Sequence, residues 1–277
     1  MNSNDRTGRT VLTTGSNSGI GLATAIHVAR LGYRSVGSVR SGAKADIVRR
    51  QAEEAGVRVE TVILDVTDAV GCEEVIGDLR PWAVVNNAGY GGMGAIEDVD
   101  DDEARLLFET MVFAPMRLAR LAVPVMREGG SGRIVNMSSV FGLTTSPLAG
   151  WYAGAKHALE ALSDALRVEV ASSGIKVVLI EPGGFRTGIW DEVSREIDRR
   201  ADSDYLSAYR RSATGLRFTQ GLMGHPDRVA KVVGRALAAR FPQPRYLVGL
   251  DAAALTIGQR LSPTVLRDRI TRLGLGL

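Results

Sequence analysis

The amino-acid sequence predicts the α/β class: a doubly wound, mostly parallel sheet of about seven strands, with helices on both faces. Three observations support this prediction. Short β-branched runs alternate with longer helical stretches, glycines follow several of those stretches, and no linker-like change of composition divides the 277 residues. Strands that alternate with helices are typical of βαβ units, which build parallel sheets. We therefore expect a single domain over residues 1–277.

Seven stretches are predicted as strands, and they cover residues 10–14, 34–39, 57–66, 82–89, 132–139, 175–183 and 245–249. Four longer stretches are predicted as helices, over residues 19–31, 43–55, 101–127 and 152–172. The first two helices are followed by Gly32 and Gly56, as is common at helix C-termini. An acidic run at residues 98–103 opens the third helix, where it meets the positive end of the helix dipole.

Two segments fall outside this alternation of strands and helices. Residues 184–225 are long for a loop and contain several aromatic side chains, so we interpret them as a lid that closes over a substrate. Residues 251–277 form a basic, amphipathic C-terminal extension. Such an extension can touch a membrane surface. We expect this one to pack on the body of the protein or on a partner subunit.

Composition narrows the class of protein. The chain is 45% hydrophobic and 23% charged, with a net charge of +3, which is typical of a soluble globular protein. Its arginines are scattered, so we expect no nucleic-acid partner. Residues 1–10 lack an apolar signal region, no apolar run reaches the roughly 20 residues that span a bilayer, and Cys72 is the single cysteine. These features predict a cytoplasmic protein with no integral membrane segment. His27, His157 and His225 match no metal-ligand spacing, so we expect no metal site.

The segment TGSNSGIG, residues 14–21, lies where the first predicted strand turns into the first helix. Gly15 suits the tight turn, Gly19 allows the backbone to approach a pyrophosphate, and Gly21 allows the helix to pack closely on the strand. The helix N-terminus then offers free N–H groups and the positive end of its dipole to the phosphates. This arrangement favours a dinucleotide-binding, Rossmann-type fold.

The end of the second predicted strand indicates which dinucleotide is bound. Val39 stands where a carboxylate would select NAD, and Arg40 follows it. A guanidinium can hold a 2′-phosphate through two parallel hydrogen bonds, so we predict NADP(H) as the cofactor. The alternative is that Arg40 is a solvated loop residue. Asp65, at the end of the third predicted strand, is placed to accept a hydrogen bond from the adenine amino group.

Three residues predict the chemistry: Ser139 after the fifth strand, and Tyr152 and Lys156 in the segment YAGAK. Their spacing of four places Tyr152 and Lys156 on one face of a helix. A phenol, whose reference pKa is about 10, acts as an acid or base at neutral pH only when its anion is stabilised, and a nearby ammonium provides this stabilisation. Ser139 can donate a hydrogen bond to a substrate oxygen. The set fits hydride transfer to or from a carbonyl carbon, with Tyr152 moving the proton.

Five motifs, in their order and spacing, resemble the classical short-chain dehydrogenase/reductase family: TGSNSGIG, NNAG (86–89), IVNMSS (134–139), YAGAK (152–156) and PGGFRT (182–187). The resemblance covers residues 8–250, and the C-terminal tail is similar to the branch that includes 17β-hydroxysteroid and retinol dehydrogenases. It implies that Ser139, Tyr152 and Lys156 are catalytic and that Thr187 contacts the nicotinamide carboxamide. The cofactor site predicted from the motifs comprises Gly15, Ser16, Asn17, Ser18, Gly19, Ile20, Gly21, Arg40, Asp65, Val66, Asn87, Ala88, Gly89, Tyr152, Lys156, Pro182, Gly183 and Thr187.

The chain departs from the family pattern at Met111. The resemblance implies a catalytic asparagine there, which distorts the central helix and frees a main-chain carbonyl for a water that links the lysine to solvent. Pro115 has no N–H, so it leaves the carbonyl of Met111 without its usual helical donor. We hypothesise that Met111 thereby contributes its backbone carbonyl to the same proton relay. The alternative is that Pro115 only shapes the helix and that Met111 fills a cavity or contacts an apolar substrate.

The expected substrate is a bulky, fairly hydrophobic ketone or alcohol, because the predicted pocket walls at residues 90–98 and 141–151 include several apolar side chains. The family resemblance implies a homodimer or homotetramer formed through the two long central helices. Two other functions remain open. One is a different reductase on the same scaffold, such as an imine reductase, and the other is a catalytically silent dinucleotide sensor.

Overall fold

The computed structural model of the chain describes residues 6–185, 196–219 and 223–277. The strands in these residues are β1 (Thr10–Thr13), β2 (Arg34–Val39), β3 (Glu60–Ile63), β4 (Ala83–Asn86), β5 (Gly132–Met137), β6 (Ile175–Pro182) and β7 (Arg245–Val248). The α-helices are α1 (Gly19–Arg30), α2 (Gly42–Glu54), α3 (Ala69–Leu79), α4 (Asp101–Phe108), α5 (Ala114–Glu128), α6 (Gly150–Glu169), α7 (Leu206–Thr219), α8 (Pro226–Ala238), α9 (Leu250–Leu261) and α10 (Thr264–Leu275).

The seven strands form one parallel sheet with the order β3-β2-β1-β4-β5-β6-β7. This finding confirms the predicted doubly wound α/β fold. The strand order reverses between β1 and β4, so the connections that leave these two strands turn away from each other. A crevice opens at the carboxyl ends of strands at such a reversal, and this is where open α/β sheets bind their ligands.

Both faces of the sheet are buried, which explains why its strands read as near-continuous apolar runs. Val11 of β1 belongs to a buried cluster with Val28 of α1 on one face. Its neighbour Leu12 points to the opposite face and lies in a second cluster with Leu118 of α5. The single cysteine, Cys72 of α3, is fully buried in that second cluster. The core therefore lies in two layers, one on each side of the sheet.

The observed elements differ from the predicted ones mainly at strand ends and in helices that the sequence pattern did not predict. β3 covers Glu60–Ile63 rather than residues 57–66. α3 was not predicted, because Gly71 and Gly77 weaken its helical pattern. Its start is nonetheless defined locally, since the Asp68 side chain accepts a hydrogen bond from the N–H of Val70 at 3.0 Å.

The C-terminal extension is helical and packs on the body of the protein in part. Leu275 of α10 belongs to a buried cluster with Ala95, Leu148 and Tyr209. Val265, on the same helix, is 81% exposed. In the residues that the structure describes, no helix combines the length and the apolar character needed to cross a membrane.

The predicted lid, residues 184–225, contains α7 in its second half. Residues 186–195 and 220–222 of that segment lie outside the described residues. The interpretation of the segment as a lid stays a prediction.

Candidate active site

Close contacts in the turn between β1 and α1 require glycine at two positions. Gly15 has a φ of +67°, and a Cβ added there would lie 2.9 Å from the Cα of Ala88. A Cβ on Gly21 would lie 2.2 Å from the carbonyl oxygen of Gly15. Ser18, which precedes α1, makes no side-chain hydrogen bond to the N–H groups of the first turn. The helix N-terminus is therefore not capped by Ser18, and its donors suit a pyrophosphate.

The remaining residues of the turn divide by exposure. Ser16 is fully buried, and its hydroxyl donates to the carbonyl of Thr13 at 2.8 Å, so this side chain stabilises the turn itself. Ser18 is exposed, whereas Asn17, Gly19 and Ile20 are half-buried at the mouth of the crevice. One side of the turn is thus accessible, whereas the buried Ser16 on the other side holds its shape.

Asn87 and Thr14 lock the turn to the segment that follows β4. The Asn87 amide Nδ2 donates to the carbonyl oxygens of Thr14 at 2.9 Å and Gly15 at 3.2 Å. The Thr14 hydroxyl accepts from the main-chain N–H groups of Asn87 at 3.0 Å and Ala88 at 2.9 Å. Asn87 was predicted from its motif, whereas Thr14 was not predicted. The only local signal for Thr14 was its position as the first letter of TGSNSGIG.

Arg40 and Asp65 lie beyond the ends of β2 and β3. Arg40 is exposed, so its guanidinium is accessible to the 2′-phosphate of a cofactor. The Oδ1 atom of Asp65 accepts from the N–H of Thr67 at 3.0 Å and from its hydroxyl at 2.8 Å. The Thr67 main-chain N–H chiefly holds the pKa of Asp65 below its usual value, and the charge of Arg40 adds to this effect. Val66, next in the chain, is buried.

At the far side of the crevice, β6 ends at Pro182. The N–H of Gly183 donates to the carbonyl of Val248 at 2.9 Å, which fixes this segment to the end of β7. Thr187, the predicted contact of the nicotinamide carboxamide, lies outside the described residues.

Ser139 and Tyr152 each contact Phe141. Ser139 precedes a short 3₁₀ turn, Val140–Gly142, and its hydroxyl oxygen accepts from the N–H of Phe141 at 3.2 Å. The Phe141 ring packs edge-on against Tyr152, with 6.0 Å between the ring centres. Ser139 is 8% exposed, and Tyr152 is half-buried. Non-local packing thus brings together residues that the sequence placed on separate elements.

Lys156 is a buried cation one helical turn from Tyr152. Its Nζ donates to the carbonyl of Met137 at 2.8 Å and lies 5.6 Å from the centre of the Tyr152 ring. Burial lowers the pKa of Lys156 to about 8, and the charge of Glu160 opposes this shift. A cation at this distance stabilises a phenolate electrostatically.

The predicted helix over residues 101–127 is interrupted at the position of Met111. α4 ends at Phe108, and Glu109–Phe113 form a π-helical turn before α5 begins. The N–H of Ala114 donates to the carbonyl of Glu109, five residues back, and Pro115 supplies no N–H. The Met111 side chain is buried beside Tyr152 and Ala155. It also lies close to Gly89, where an added Cβ would be 3.4 Å from the Met111 Cε.

The two predicted pocket walls are joined to each other. The N–H of Gly94 donates to the carbonyl of Leu148 at 2.7 Å, and the Trp151 indole donates to the carbonyl of Ile96 at 3.2 Å. Phe108 packs edge-on against Trp151, with ring centres 6.2 Å apart. These contacts form a rim on the side of the N-terminus of α6, and Phe108 and Trp151 give it aromatic side chains.

Tyr209 and Arg200 fasten the predicted lid region to this rim. Tyr209 counted only among the aromatic side chains of the predicted lid, and Arg200 was not predicted at all. The Tyr209 hydroxyl of α7 donates to the Asp98 carboxylate at 2.7 Å and accepts from the N–H of Ala95 at 2.6 Å. The buried guanidinium of Arg200 binds the Glu103 carboxylate at 2.8 Å. Both contacts join residues about a hundred positions apart, and no local pattern indicates them.

In the described part of the chain, no group of three or more histidine, cysteine, aspartate or glutamate side chains is placed to hold a metal ion.

The fold and the site together define a class of protein: a doubly wound α/β domain with a dinucleotide-type turn and a serine, a tyrosine and a lysine at its mouth. The sequence model of the family described as short chain dehydrogenase matches residues 9–198. The chain therefore belongs to the short-chain dehydrogenase family.

Individual relatives agree with this membership. An uncharacterized oxidoreductase of Escherichia coli, YbbO, is 36% identical over 267 residues, which cover 95% of this chain and 93% of the relative. Retinol dehydrogenase 7 of Mus musculus is 30% identical, over 93% of this chain and 86% of the relative. The actinorhodin polyketide ketoreductase, solved with NADPH, superposes with a TM-score of 0.77 at 25% identity, and covers 90% of this chain and 97% of that one.

Proposed function

We propose that the protein is an NADP(H)-dependent oxidoreductase that transfers hydride between the nicotinamide and a carbonyl or hydroxyl carbon of a bulky, fairly hydrophobic substrate. One observation carries the proposal: the buried Lys156 ammonium lies 5.6 Å from the Tyr152 ring centre, at the mouth of a dinucleotide-type crevice. A phenol next to a fixed cation is a competent proton donor and acceptor near neutral pH.

The residues of the crevice fit a dinucleotide. The close approach of Gly15 to Ala88 and the α1 N-terminus, which Ser18 leaves uncapped, suit a pyrophosphate, and Asn87 shapes the segment beside it. A bound nicotinamide supplies or accepts the hydride. Arg40 is proposed to hold the 2′-phosphate, and the NADPH of the polyketide ketoreductase supports NADP(H) as the cofactor.

The protein's own side chains handle the proton. Tyr152 gives its hydroxyl proton to the substrate oxygen during reduction and takes one from it during oxidation. Lys156 stabilises the resulting phenolate. The Ser139 oxygen already accepts from the N–H of Phe141, so its hydroxyl proton is directed elsewhere and can orient the substrate oxygen. For Met111, we propose a backbone role only, through a carbonyl of the π-helical turn.

The apolar rim favours a hydrophobic substrate. Phe141 packs against Tyr152, Phe108 packs on the same buried cluster as Tyr152, and Trp151 packs against Phe108. The similarity to a retinol dehydrogenase is consistent with a bulky apolar alcohol or ketone. The proposal keeps the protein in the cytoplasm, which agrees with a single, buried cysteine.

We propose a homodimer or homotetramer, as the sequence analysis predicted. The outer faces of α5 and α6 form an open groove whose apolar residues include Met116, Val123, Pro124 and Leu166. Light scattering after size exclusion tests this part of the proposal, and a monomer at micromolar concentration contradicts it.

The function is tested by following the loss of NADPH absorbance over a panel of hydrophobic ketones and aldehydes. We expect turnover that falls by about 10²–10⁴-fold in Tyr152→Phe, because a general acid contributes on this scale. NADPH affinity, measured by fluorescence, should change little. Tyr246→Phe is the matched control. It removes a tyrosine hydroxyl on β7 that accepts a hydrogen bond from the N–H of Gln243. Full turnover in Tyr152→Phe contradicts the proposal.

The same assay separates the alternatives. Turnover of cyclic imines without turnover of ketones indicates an imine reductase. NADPH binding without turnover of any carbonyl or imine indicates a sensor.

A further inference from the structure

Behind the proposed catalytic residues lies a group of four charged side chains, which we call the Arg245 cluster. It consists of Glu160 and Asp164 on α6, Glu181 on β6 and Arg245 on β7. The Nε atom of Arg245 lies 3.2 Å from Glu160 Oε2 and 3.2 Å from Glu181 Oε1. The same guanidinium also pairs with Asp164. One arginine therefore serves three carboxylates and joins the helix of Lys156 to the last two strands.

The two glutamates of the cluster are removed from water, whereas its other members reach the surface. The Glu160 side chain is 7% exposed and that of Glu181 is 3% exposed, against 39% for Asp164 and 36% for Arg245. Two buried carboxylates beside one shared guanidinium disfavour full ionisation. Burial, and next the charge of Glu160, raise the pKa of Glu181 to about 7. Burial also raises the pKa of Glu160.

Glu160 connects this cluster to the proposed active site. It follows Lys156 by one helical turn, so both side chains leave the same face of α6. The Ser138 hydroxyl, next to Ser139 in the chain, faces the Glu160 carboxylate and favours its ionised form. A Cβ on Gly142 would lie 2.6 Å from that hydroxyl and 3.2 Å from Glu160 Oε1, which places the carboxylate directly under the loop of Ser139.

Charge balance couples the lysine to the glutamates. The titratable or charged groups that face one another here are Tyr152, Lys156, Glu160, Asp164 and Arg167 of α6, Glu181 of β6 and Arg245 of β7. When Lys156 is protonated and both glutamates are ionised, three cations balance three carboxylates. When it loses its proton, one buried carboxylate is left unbalanced and gains affinity for a proton.

We propose that Glu160 and Glu181 hold one exchangeable proton between them, and that the charge of this pair sets the charge of Lys156. The two glutamates are positioning residues that act through the lysine. Near neutral pH the negative charge of the pair keeps Lys156 cationic, and Lys156 in turn keeps Tyr152 able to move a proton. This inference rests on the proposed function for its catalytic consequence.

A direct test titrates Lys156 itself. The chain has four lysines, Lys44, Lys156, Lys176 and Lys231, so protein labelled with ¹³C at lysine Cε gives four assignable signals. Glu160→Gln should lower the midpoint of Lys156 by about one pH unit, since it removes the carboxylate whose charge opposes the effect of burial on the lysine. Glu181→Gln should move it less than half as far, because Glu160 then carries the full negative charge. Glu169→Gln, on the exposed side of α6, is the control and should not move it.

Two further measurements keep the test decisive. In wild-type protein labelled at glutamate Cδ, carboxyl signals should titrate near pH 7, and Glu181→Gln should remove one of them. The alkaline limb of the kcat profile should move with the Lys156 midpoint. An unmoved midpoint in a folded Glu160→Gln protein overturns the proposal, as does a wild type whose glutamates all titrate below about pH 5. A protein without turnover would fail the proposed function, but both NMR titrations would still decide this inference.

Discussion

The side-chain amide of Asn86 donates to the side-chain oxygen of Asn136 at 2.8 Å, between β4 and β5 and inside the sheet. Asn136 in turn donates from its Nδ2 to the Ser163 hydroxyl of α6 at 2.8 Å. Asn86 also approaches the carbonyl of Pro115 at 3.4 Å. Buried hydrogen bonds among two amides and one hydroxyl thus join the two central strands to the helix of Lys156 and to the start of α5.

Breaking these buried hydrogen bonds should lower the stability of the protein without changing a proposed catalytic residue. Asn136→Ala leaves the amide of Asn86 and the hydroxyl of Ser163 with a lost partner, so the free energy of unfolding should fall by about 2–3 kcal/mol. Urea unfolding measures it. Gln243→Ala, an exposed amide, is the control. A loss as small as that of the control would show that the buried amides are satisfied in another way.

Arg40 should decide the choice between the two nicotinamide dinucleotides. A hydrogen bond to a charged group contributes about 1.5–3 kcal/mol, so Arg40→Ala should weaken NADPH binding by about 10–100-fold and leave NADH binding nearly unchanged. Fluorescence titration gives both dissociation constants. Arg49→Ala, an exposed arginine on α2, controls for general charge. Equal weakening of both cofactors would assign Arg40 to the solvated loop instead.

Pro115 should matter for turnover more than for cofactor binding. Pro115→Ala supplies an N–H to a carbonyl of the π-helical turn Glu109–Phe113, so kcat should fall by about tenfold or more while NADPH affinity holds. Pro124→Ala is a close control, because Pro124 lies in the same helix. Since Pro124 also lines the groove proposed for oligomerisation, the oligomeric state of this variant is compared with that of the wild type. Unchanged kcat in Pro115→Ala would leave the proline with a packing role alone.

The Arg245 cluster predicts how stability depends on pH. The folded protein raises the pKa of Glu181 from 4.5 to about 7, mainly through burial. Between these values the folded state binds a proton that the unfolded chain does not, so this group's contribution to stability is lost as the pH rises through that window. Glu181→Gln should remove the loss.

Calorimetry at pH 5 and pH 8 measures this effect. The Tm of Glu181→Gln, relative to wild type, should be higher at pH 8 than at pH 5. Glu169→Gln should show no such dependence. A difference that is the same at both pH values would mean that Glu181 is already ionised in the folded protein.

The sheet could be predicted from the sequence because its five inner strands are buried on both faces, and most of these strands therefore contain apolar runs between helical stretches. α8 was not predicted, although Pro226 in its first turn is a known signal for the start of a helix. α3 escaped because glycines dilute its pattern. The π-helical turn at Met111 was predicted only in part. Pro115 indicated that a carbonyl lacks its helical donor, but it did not indicate the geometry of the turn.

The candidate site was predictable where its residues form local motifs, as the Gly-rich turn and the YAGAK segment do. Thr14, Tyr209 and the Arg245 cluster were not, because their roles arise from contacts between residues far apart in the chain. A local pattern cannot encode which partner the fold will bring to a side chain.

The burial of Cys72 makes the protein well suited to site-specific labelling. Burial raises the pKa of its thiol, so the sulfur is both shielded and poorly nucleophilic. A cysteine introduced by substitution at an exposed position would then be the one thiol that a maleimide dye or spin label reaches. Pairs of such labels across the crevice would report its opening and closing in solution, with no need to remove the native cysteine first.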